Sequence, residues 1–487
     1  MSQKYDPSNP VAAADISTWY AQTDVIVVGF GGAGASAALE AHYGGADVTI
    51  LEVASGSGGA TALAGGQIYM GGGTPIQTAC GFEDTVEDME AYITLAAGAN
   101  SDKAKIKSYC ENSVEHFNWF EQQGVVFNPE FYAGKHTNTP EYQSLAYSGN
   151  EKGYLERKVA RPAPRAHKAK AYWEDGGSTL MATLTETINN TDIEVLYDSR
   201  VLTLVCDGDR IVGVMCKQDG ETRAYRARGG VILCCGGFIM NREMIEKYAP
   251  RLKDGTPLGS PGDTGTGILM GMGAGGAAIN MDEGFISVTW YPSGEFCKGV
   301  FVNQQGQRFI NEDCYHSRGA HHGLNQSERK VYMVVDSAIY TEPPLYSAAD
   351  VVEVGETFEE LERDAGFAQG TLCNTMKTYN DFAAKGEDPL FHKDPEFLQV
   401  IDKPPYALLN FSIDSGIYYP TFTFGGLDTN VDGEVLNGTG NVVPGLYAAG
   451  RTTAGLPRTA EGYASGMSIG DATYFGRLAG RAAAKNR

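Results

Sequence analysis

Residues 25–52 read VIVVGFGGAGASAALEAHYGGADVTILE, and the order of parts in this stretch decides the fold. The apolar run Val25 to Val28 predicts a buried strand, and Gly29, Gly31 and Gly34 follow it in G-x-G-x-x-G spacing. An alanine-rich run then predicts a helix, and a second apolar run, Val48 to Leu51, ends on Glu52. The three glycines serve different ends. Gly29 permits a sharp turn, Gly31 lets backbone approach a pyrophosphate, and Gly34 lets the helix pack closely on the strand. The helix N-terminus faces the phosphates with its free N–H groups. Glu52 stands 23 residues after Gly29, where a carboxylate accepts hydrogen bonds from both hydroxyls of an adenosine ribose. That favours FAD or NAD over a cofactor carrying a 2′-phosphate. With 62 glycines in 487 residues the glycine spacing alone says little, but strand, turn, helix, strand and terminal acid together predict a nucleotide-binding βαβ unit.

A chain of this length, 42% hydrophobic, buries a large core and should hold at least two domains. Its net charge of −22 argues against nucleic acid or an anionic membrane surface as partner. The first twenty residues lack a cationic start followed by an apolar core, so no signal peptide is expected. No run reaches the ~18 apolar residues of a membrane span. The nine cysteines include no C-x-x-C pair, which predicts no metal site and free thiols in a reducing cytoplasm. Cys234 and Cys235, side by side in an apolar strand, read as small core residues, Cys235 with a place near a cofactor.

Along the chain, residues 55–73 are too rich in glycine and small residues for a regular element and suit close approach to a flat, bulky ligand. Helical periodicity runs over 84–123, through Met89, Tyr92, Ile93 and Ala96 and then Val114, Phe117, Trp119 and Phe120. Residues 152–170, with Lys152, Arg157, Lys158, Arg161, Arg165, Lys168 and Lys170, read as a solvated loop. A helix over Ser178 to Ile188 precedes strands at 194–197, 201–205 and 211–216. The apolar strand GVILCCGGF, 230–238, ends on Gly236 and Gly237, and GDTGTGILMGMGAGG, 262–276, turns into a helix. From 285 to 404 short alternating strands and aromatic loops replace the glycine turns, which predicts an inserted domain. The earlier pattern resumes at 405 and ends in a long helix entered through glycines. The expected fold class is α/β: a Rossmann-type FAD-binding domain in two parts, 1–284 and 405–487, around an inserted α+β substrate domain, 285–404.

VIVVGFGGAGASAALEA, VILCCGGF, GDTGTGI, FVNQQGQRFINE and GLYAAG before a glycine-led final helix resemble, in this order, the fumarate reductase flavoprotein and 3-ketosteroid dehydrogenase family. The resemblance implies a two-domain FAD enzyme whose active site lies between the domains. Fumarate reductases carry a proton-donating arginine shortly after the Glu of the RF-x-N-E motif; here Glu312 is followed by Asp313, Cys314, Tyr315 and His316, with Arg318 displaced. The segment that supplies His and Arg to a dicarboxylate reads Glu461, Gly462, Tyr463, Ala464 and Ser465. Tyr315 with Tyr463 and Ser465, and Arg451 in GLYAAGRTTAGLP, are instead similar to the 3-ketosteroid Δ4-(5α)-dehydrogenases.

That branch implies hydride exchange between steroid C5 and flavin N5, with the C4 proton handled by a Tyr463, Tyr315 and Ser465 relay. A tyrosine acting as base needs help, which the N-terminus of the last helix near Met467 and Ser468 would give. Non-covalent FAD would be held by Gly29, Gly31, Ala33, Gly34, Glu52, Val53, Thr61, Ala62, Gly65, Gly66, Val201, Gly236, Arg451, Ser468 and Ile469. No histidine stands in 55–73 to take a covalent flavin. His316, His321 and His322 read as loop residues near Tyr315, and no metal is expected. Phe285, Trp290, Tyr291, Phe296 and Tyr346 are candidate walls for a rigid apolar substrate. The expected partners are a 3-ketosteroid and an unidentified electron acceptor or donor, in the cytoplasm. An enoate or dicarboxylate reductase, or a non-catalytic flavin electron-transfer module, are the alternatives.

Overall fold

The computed structural model describes residues 5–291, 294–342 and 349–487. The opening unit forms as read: β1 (Ala21–Val28), α1 (Gly32–Tyr43) and β2 (Val48–Leu51). The strands run parallel, with Val25 opposite Val48 and Val28 opposite Leu51. Gly29 has φ +103°, and a Cβ there would stand 2.4 Å from the Cys234 carbonyl oxygen. A Cβ on Gly34 would stand 1.9 Å from the carbonyl oxygen of Gly29, so the helix rests directly on the turn.

Residues 55–73 hold more regular structure than their composition suggests: a helical turn at Gly59–Ala62 and strand β3 (Gln67–Tyr69). Ile68, Tyr69 and Met70 are fully buried, and that burial fixes a strand among the glycines. Next come α2 (Val86–Ala97), α3 (Lys103–Glu111) and α4 (Ser113–Gln122), with Met89, Tyr92, Ile93, Phe117, Trp119 and Phe120 turned inward. The basic stretch 152–170 is a solvated loop only in its first half. Arg165 is fully buried and grips Asp84 with two bonds, Nε to Oδ2 at 2.9 Å and Nη2 to Oδ1 at 2.7 Å. Lys168 lies in β4 (Ala166–Lys168), paired with β3, and its Nζ donates to three backbone carbonyls, those of Thr139, Glu141 and Trp173. A run of cations cannot reveal which of them has a buried partner.

Then follow α5 (Gly176–Asn189), β5 (Glu194–Leu196), β6 (Arg200–Asp207), β7 (Arg210–Gln218) and β8 (Glu221–Leu233). The principal sheet runs from a short strand at Val11–Ala12 through β6, β7, β8, β1 and β2 to β5. The apolar strand thus starts earlier and ends sooner than its composition predicts. The first half of β8 pairs antiparallel with β7, while Val231 lies between Ile26 of β1 and Leu446 of β15 (Val442–Ala448) in parallel register. Gly236, with φ +74°, turns the chain out of the sheet.

After α6 (Thr266–Gly273) and β9 (Gly284–Ile286), an antiparallel sheet forms in the order β10 (Val300–Asn303), β11 (Val331–Asp336), β13 (Tyr406–Asn410), β12 (Asp350–Gly355). All its strands lie between Val300 and Asn410. The three histidines are not in a loop: α7 (His316–Leu324) carries them, with Tyr315 as its N-cap residue. β14 (Pro420–Thr423) pairs with β9 and sets Phe422 opposite Phe285. The chain closes with α8 (Met467–Lys485), which packs on α1. Cβ atoms on Gly476 and Gly480 would stand 2.5 Å and 2.2 Å from the carbonyl oxygens of Ala33 and Ala37, so only glycine permits this approach. Arg477 locks the contact, its Nε on Glu40 at 2.8 Å and its Nη2 on Glu115 at 2.7 Å.

Candidate active site

Two helix starts converge. Tyr315 caps α7, while Tyr463 and Ser465 lie in the loop that enters α8. That entry is fixed by Gly466, φ +98°, whose Cβ would stand 2.7 Å from the Tyr69 nitrogen and whose carbonyl accepts that N–H at 3.1 Å. The Tyr315 and Ser465 hydroxyls are hydrogen-bonded to each other. Tyr463 Oη donates to Ser468 Oγ at 3.1 Å. The two tyrosine rings lie 6.3 Å apart, tilted by 46°. The three hydroxyl residues read from the sequence therefore do meet, as two hydroxyl pairs with Ser468 as fourth member.

The surroundings are aromatic. Phe285, Phe424 and Phe422 stand 5.0, 5.4 and 5.9 Å from the Tyr463 ring, centroid to centroid. Of the wall candidates, Phe285 packs against the tyrosines. Trp290, Tyr291 and Phe296 belong to the core around the antiparallel sheet, where Trp290 Nε1 donates to the Glu312 carbonyl at 2.9 Å. Tyr346 lies outside the described residues. Phe422 and Phe424 escaped the sequence reading, although the alternation TFTF over 421–424 places both on one face of a strand.

Burial pushes the phenols of Tyr315 and Tyr463 above their ordinary value, Tyr315 the further because Tyr463 stands beside it. Both are neutral hydroxyls at physiological pH. His316, its ring 3.9 Å from that of Tyr315, bonds through Nδ1 to the Ser287 hydroxyl, and its Nε2 is buried without a hydrogen-bond partner. Burial, with Lys135 and His136 near, holds it down to about 3, so it too is neutral. Arg318, the displaced arginine, is spoken for: it reaches the Glu156 carboxylate, and its Nε lies 3.2 Å from that of Glu461.

Around the glycine turn, a Cβ on Gly31 would make only ordinary contacts, 3.7 Å from the Gly58 carbonyl oxygen and 3.9 Å from Gly59 Cα, unlike the jammed Gly29 and Gly34. Thr61 Oγ1 accepts the Gly32 N–H at 3.1 Å. Glu52 is buried at the end of β2 and accepts from the Phe30 and Ala54 N–H groups at 2.6 and 2.8 Å, which aims its carboxylate across the turn. Val53 beyond it is exposed. Ala33 lies in the α1–α8 contact, Ile469 is buried in the same core cluster, and Val201 is buried in β6. A Cβ on Gly58 would stand 2.7 Å from that of Ala62. Gly65 and Gly66 face protein rather than open space: Cβ atoms there would stand 2.3 Å from Asn138 Nδ2 and 2.0 Å from the Gly176 carbonyl carbon. Arg451 Nη2 bonds Asp263 at 2.6 Å, and its Nη1 is buried without a partner. Gly236 makes room for Asp263, whose Oδ1 would lie 1.9 Å from a Cβ there.

Residues 24–467 match the family described as FAD binding domain. The chain belongs to this family. It is an FAD-dependent oxidoreductase, and the residues present fit the cofactor: a glycine turn leading into a helix N-terminus, a carboxylate at the end of the second strand, and a buried guanidinium nitrogen with no partner of its own. Among solved structures it is similar to 3-ketosteroid-Δ4-(5α)-dehydrogenase from Rhodococcus jostii RHA1 in complex with 4-androstene-3,17-dione, at 40% identity and TM-score 0.92, over 98% of this chain and 99% of that one. It is 28% identical to 3-oxo-5-alpha-steroid 4-dehydrogenase of Comamonas testosteroni, over 90% of this chain and 94% of that protein. It is also 28% identical to a probable fumarate reductase of Shewanella frigidimarina, over 95% of this chain and 75% of that protein. Among the described residues no helix is long and apolar enough to cross a membrane.

Proposed function

We propose that this FAD enzyme introduces or reduces the C4–C5 double bond of a 3-ketosteroid. The observation that carries the reading is the pair of neutral hydroxyl couples, Tyr315 with Ser465 and Tyr463 with Ser468, set in an aromatic wall where a dicarboxylate would need cations. The protein similar at 40% identity, whose complex holds a 3-ketosteroid, supports it. Arg318 held by two carboxylates weighs against the fumarate reading despite the reductase relatives.

FAD, when bound, supplies hydride exchange at N5 with the steroid C5. The chain supplies the rest. In the oxidative direction Tyr315 first releases its phenolic proton to solvent; Ser465 then takes the C4 proton while its own passes to the Tyr315 oxygen, which ends neutral. In the reductive direction the raised phenols are the ready state, since they hold their protons at neutral pH. With substrate bound, Tyr463 turns its single O–H from Ser468 to the 3-keto oxygen, accepting from Ser468 in exchange, and stabilises the enolate that forms as C4 loses its proton. The start of α8 offers free N–H groups to negative charge on the reduced flavin. Phe285, Phe422 and Phe424 clasp the apolar rings and exclude water.

The site assignment rests on the same reading. FAD is held without a covalent bond by Gly29, Gly31, Ala33, Gly34, Glu52, Val53, Thr61, Ala62, Gly65, Gly66, Val201, Gly236, Arg451, Ser468 and Ile469, Tyr315, Tyr463 and Ser465 act on the steroid, and the inserted domain, 285–404 from the sequence, also takes in β13 to Asn410, which pairs on both sides within its sheet. The test is anaerobic mixing of the FAD-loaded protein with a 5α-3-ketosteroid while flavin absorbance is followed. Bleaching is expected. No bleaching by the steroid, together with reoxidation of the reduced protein by fumarate, would assign the site to a dicarboxylate.

A further inference from the structure

Tyr315 and Ser465 come from segments 150 residues apart, yet both hang on one short loop that belongs to neither. We propose that Ser148–Gly149–Asn150–Glu151 sets the separation of the two hydroxyls, with Asn150 and Ser148 as positioning residues; this rests on reading Tyr315 and Ser465 as the proton-handling pair. The Tyr315 N–H donates to Asn150 Oδ1 at 2.8 Å. Ser465 is bound to Ser148 in both directions: its N–H donates to the Ser148 carbonyl at 2.9 Å, and Ser148 Oγ donates to the Ser465 carbonyl at 2.8 Å.

The loop itself is held rigidly. The Asn150 N–H donates to Tyr92 Oη at 3.0 Å. The buried Glu151 carboxylate accepts the Gly149 N–H at 2.9 Å and the Tyr69 hydroxyl at 3.2 Å, closing the turn on itself and fastening it to β3. A Cβ on Gly149 would stand 2.4 Å from Tyr92 Oη and 2.6 Å from the Ala464 Cβ, so the loop presses against the residue between Tyr463 and Ser465. Ser148, Asn150 and Glu151 are each at most 5% exposed, so their bonds are shielded from bulk water. Proton transfer between hydroxyls depends steeply on their separation, and a misplacement of about 1 Å costs on the order of a hundredfold in rate. A common jig keeps that separation constant although the hydroxyls belong to distant parts of the chain.

The test uses FAD-loaded wild type, Asn150→Ala, Tyr315→Phe and the double variant. Asn150→Ala should slow flavin bleaching by the steroid about 10- to 100-fold with little change in the steroid concentration giving half the maximal rate. In the Tyr315→Phe background, where the hydroxyl is already gone, it should cost less than about threefold. An equal loss in both backgrounds would show a general structural role and overturn the proposal. Amide hydrogen exchange at Tyr315 supplies a readout that needs no substrate: Asn150→Ala removes the acceptor of the Tyr315 N–H and should speed its exchange, and unchanged exchange there would overturn the proposal. If the wild type fails to bleach, the steroid reading falls, and the exchange result alone decides the loop's part.

Discussion

The nucleotide cradle and the hydroxyl site are both built around glycines that admit no side chain, yet they are assembled in opposite ways. In the cradle, Gly29, Gly31, Gly34 and Glu52 lie within one βαβ unit, and the turn, the helix start and the carboxylate follow from local spacing. The hydroxyl site draws on three segments, at 148–151, 315 and 463–468, brought together by tertiary packing alone. A contiguous motif fixes its own geometry, whereas a dispersed one inherits geometry from everything that packs around it.

Breaking each region should therefore give different losses. The largest belongs to Gly34→Ala: its methyl would overlap the Gly29 carbonyl oxygen, so α1 must lift from the turn. The protein should emerge without bound flavin, read as flavin absorbance per mole of protein; full occupancy would dissolve the contrast. Tyr463→Phe should do the reverse, keeping FAD while steroid-dependent bleaching falls by about 10²- to 10⁴-fold, the span of a positioned acid–base group. Asp84→Ala touches neither region directly but strands the buried Arg165 charge beside β3, and should cost about 3–5 kcal/mol in chemical denaturation.

The smallest expected effect is a slope. His316 titrates near 3 when folded and near 6.5 when unfolded, so between those values the unfolded chain takes up a proton that the folded chain refuses. Its stabilisation is whole above pH 6.5 and is lost as the pH falls toward 3, on the order of 2 kcal/mol by pH 5. The fall in melting temperature from pH 7 to pH 5 should be shallower in His316→Gln than in wild type. An identical slope would mean that the ring is protonated in the folded protein.

The same contrast explains what was legible in the sequence. Glycine spacing, apolar runs and residue types at motif positions gave the βαβ unit, the α/β fold and the meeting of Tyr315 with Tyr463 and Ser465. What stayed hidden was partnership. Nothing in 152–170 separates Arg165, buried on Asp84, from Arg157 at the surface, because burial is decided by residues remote in sequence. Ser468 stood out only as a neighbour of the cofactor, since its bond to Tyr463 closes across the loop that enters α8 and depends on how that loop folds. Phe422 and Phe424 sat in a legible alternation, and a period-two count over 421–424 would have found them.

The packing of α8 on α1 has a consequence for how the protein is made. As the chain leaves the ribosome, α1 emerges more than 400 residues ahead of the helix that covers Ala33 and Ala37. Until synthesis reaches α8, the first glycine turn lacks its lid of packed backbone, so stable capture of the flavin is a late event of synthesis, and a nascent chain stalled before Met467 should bind it poorly.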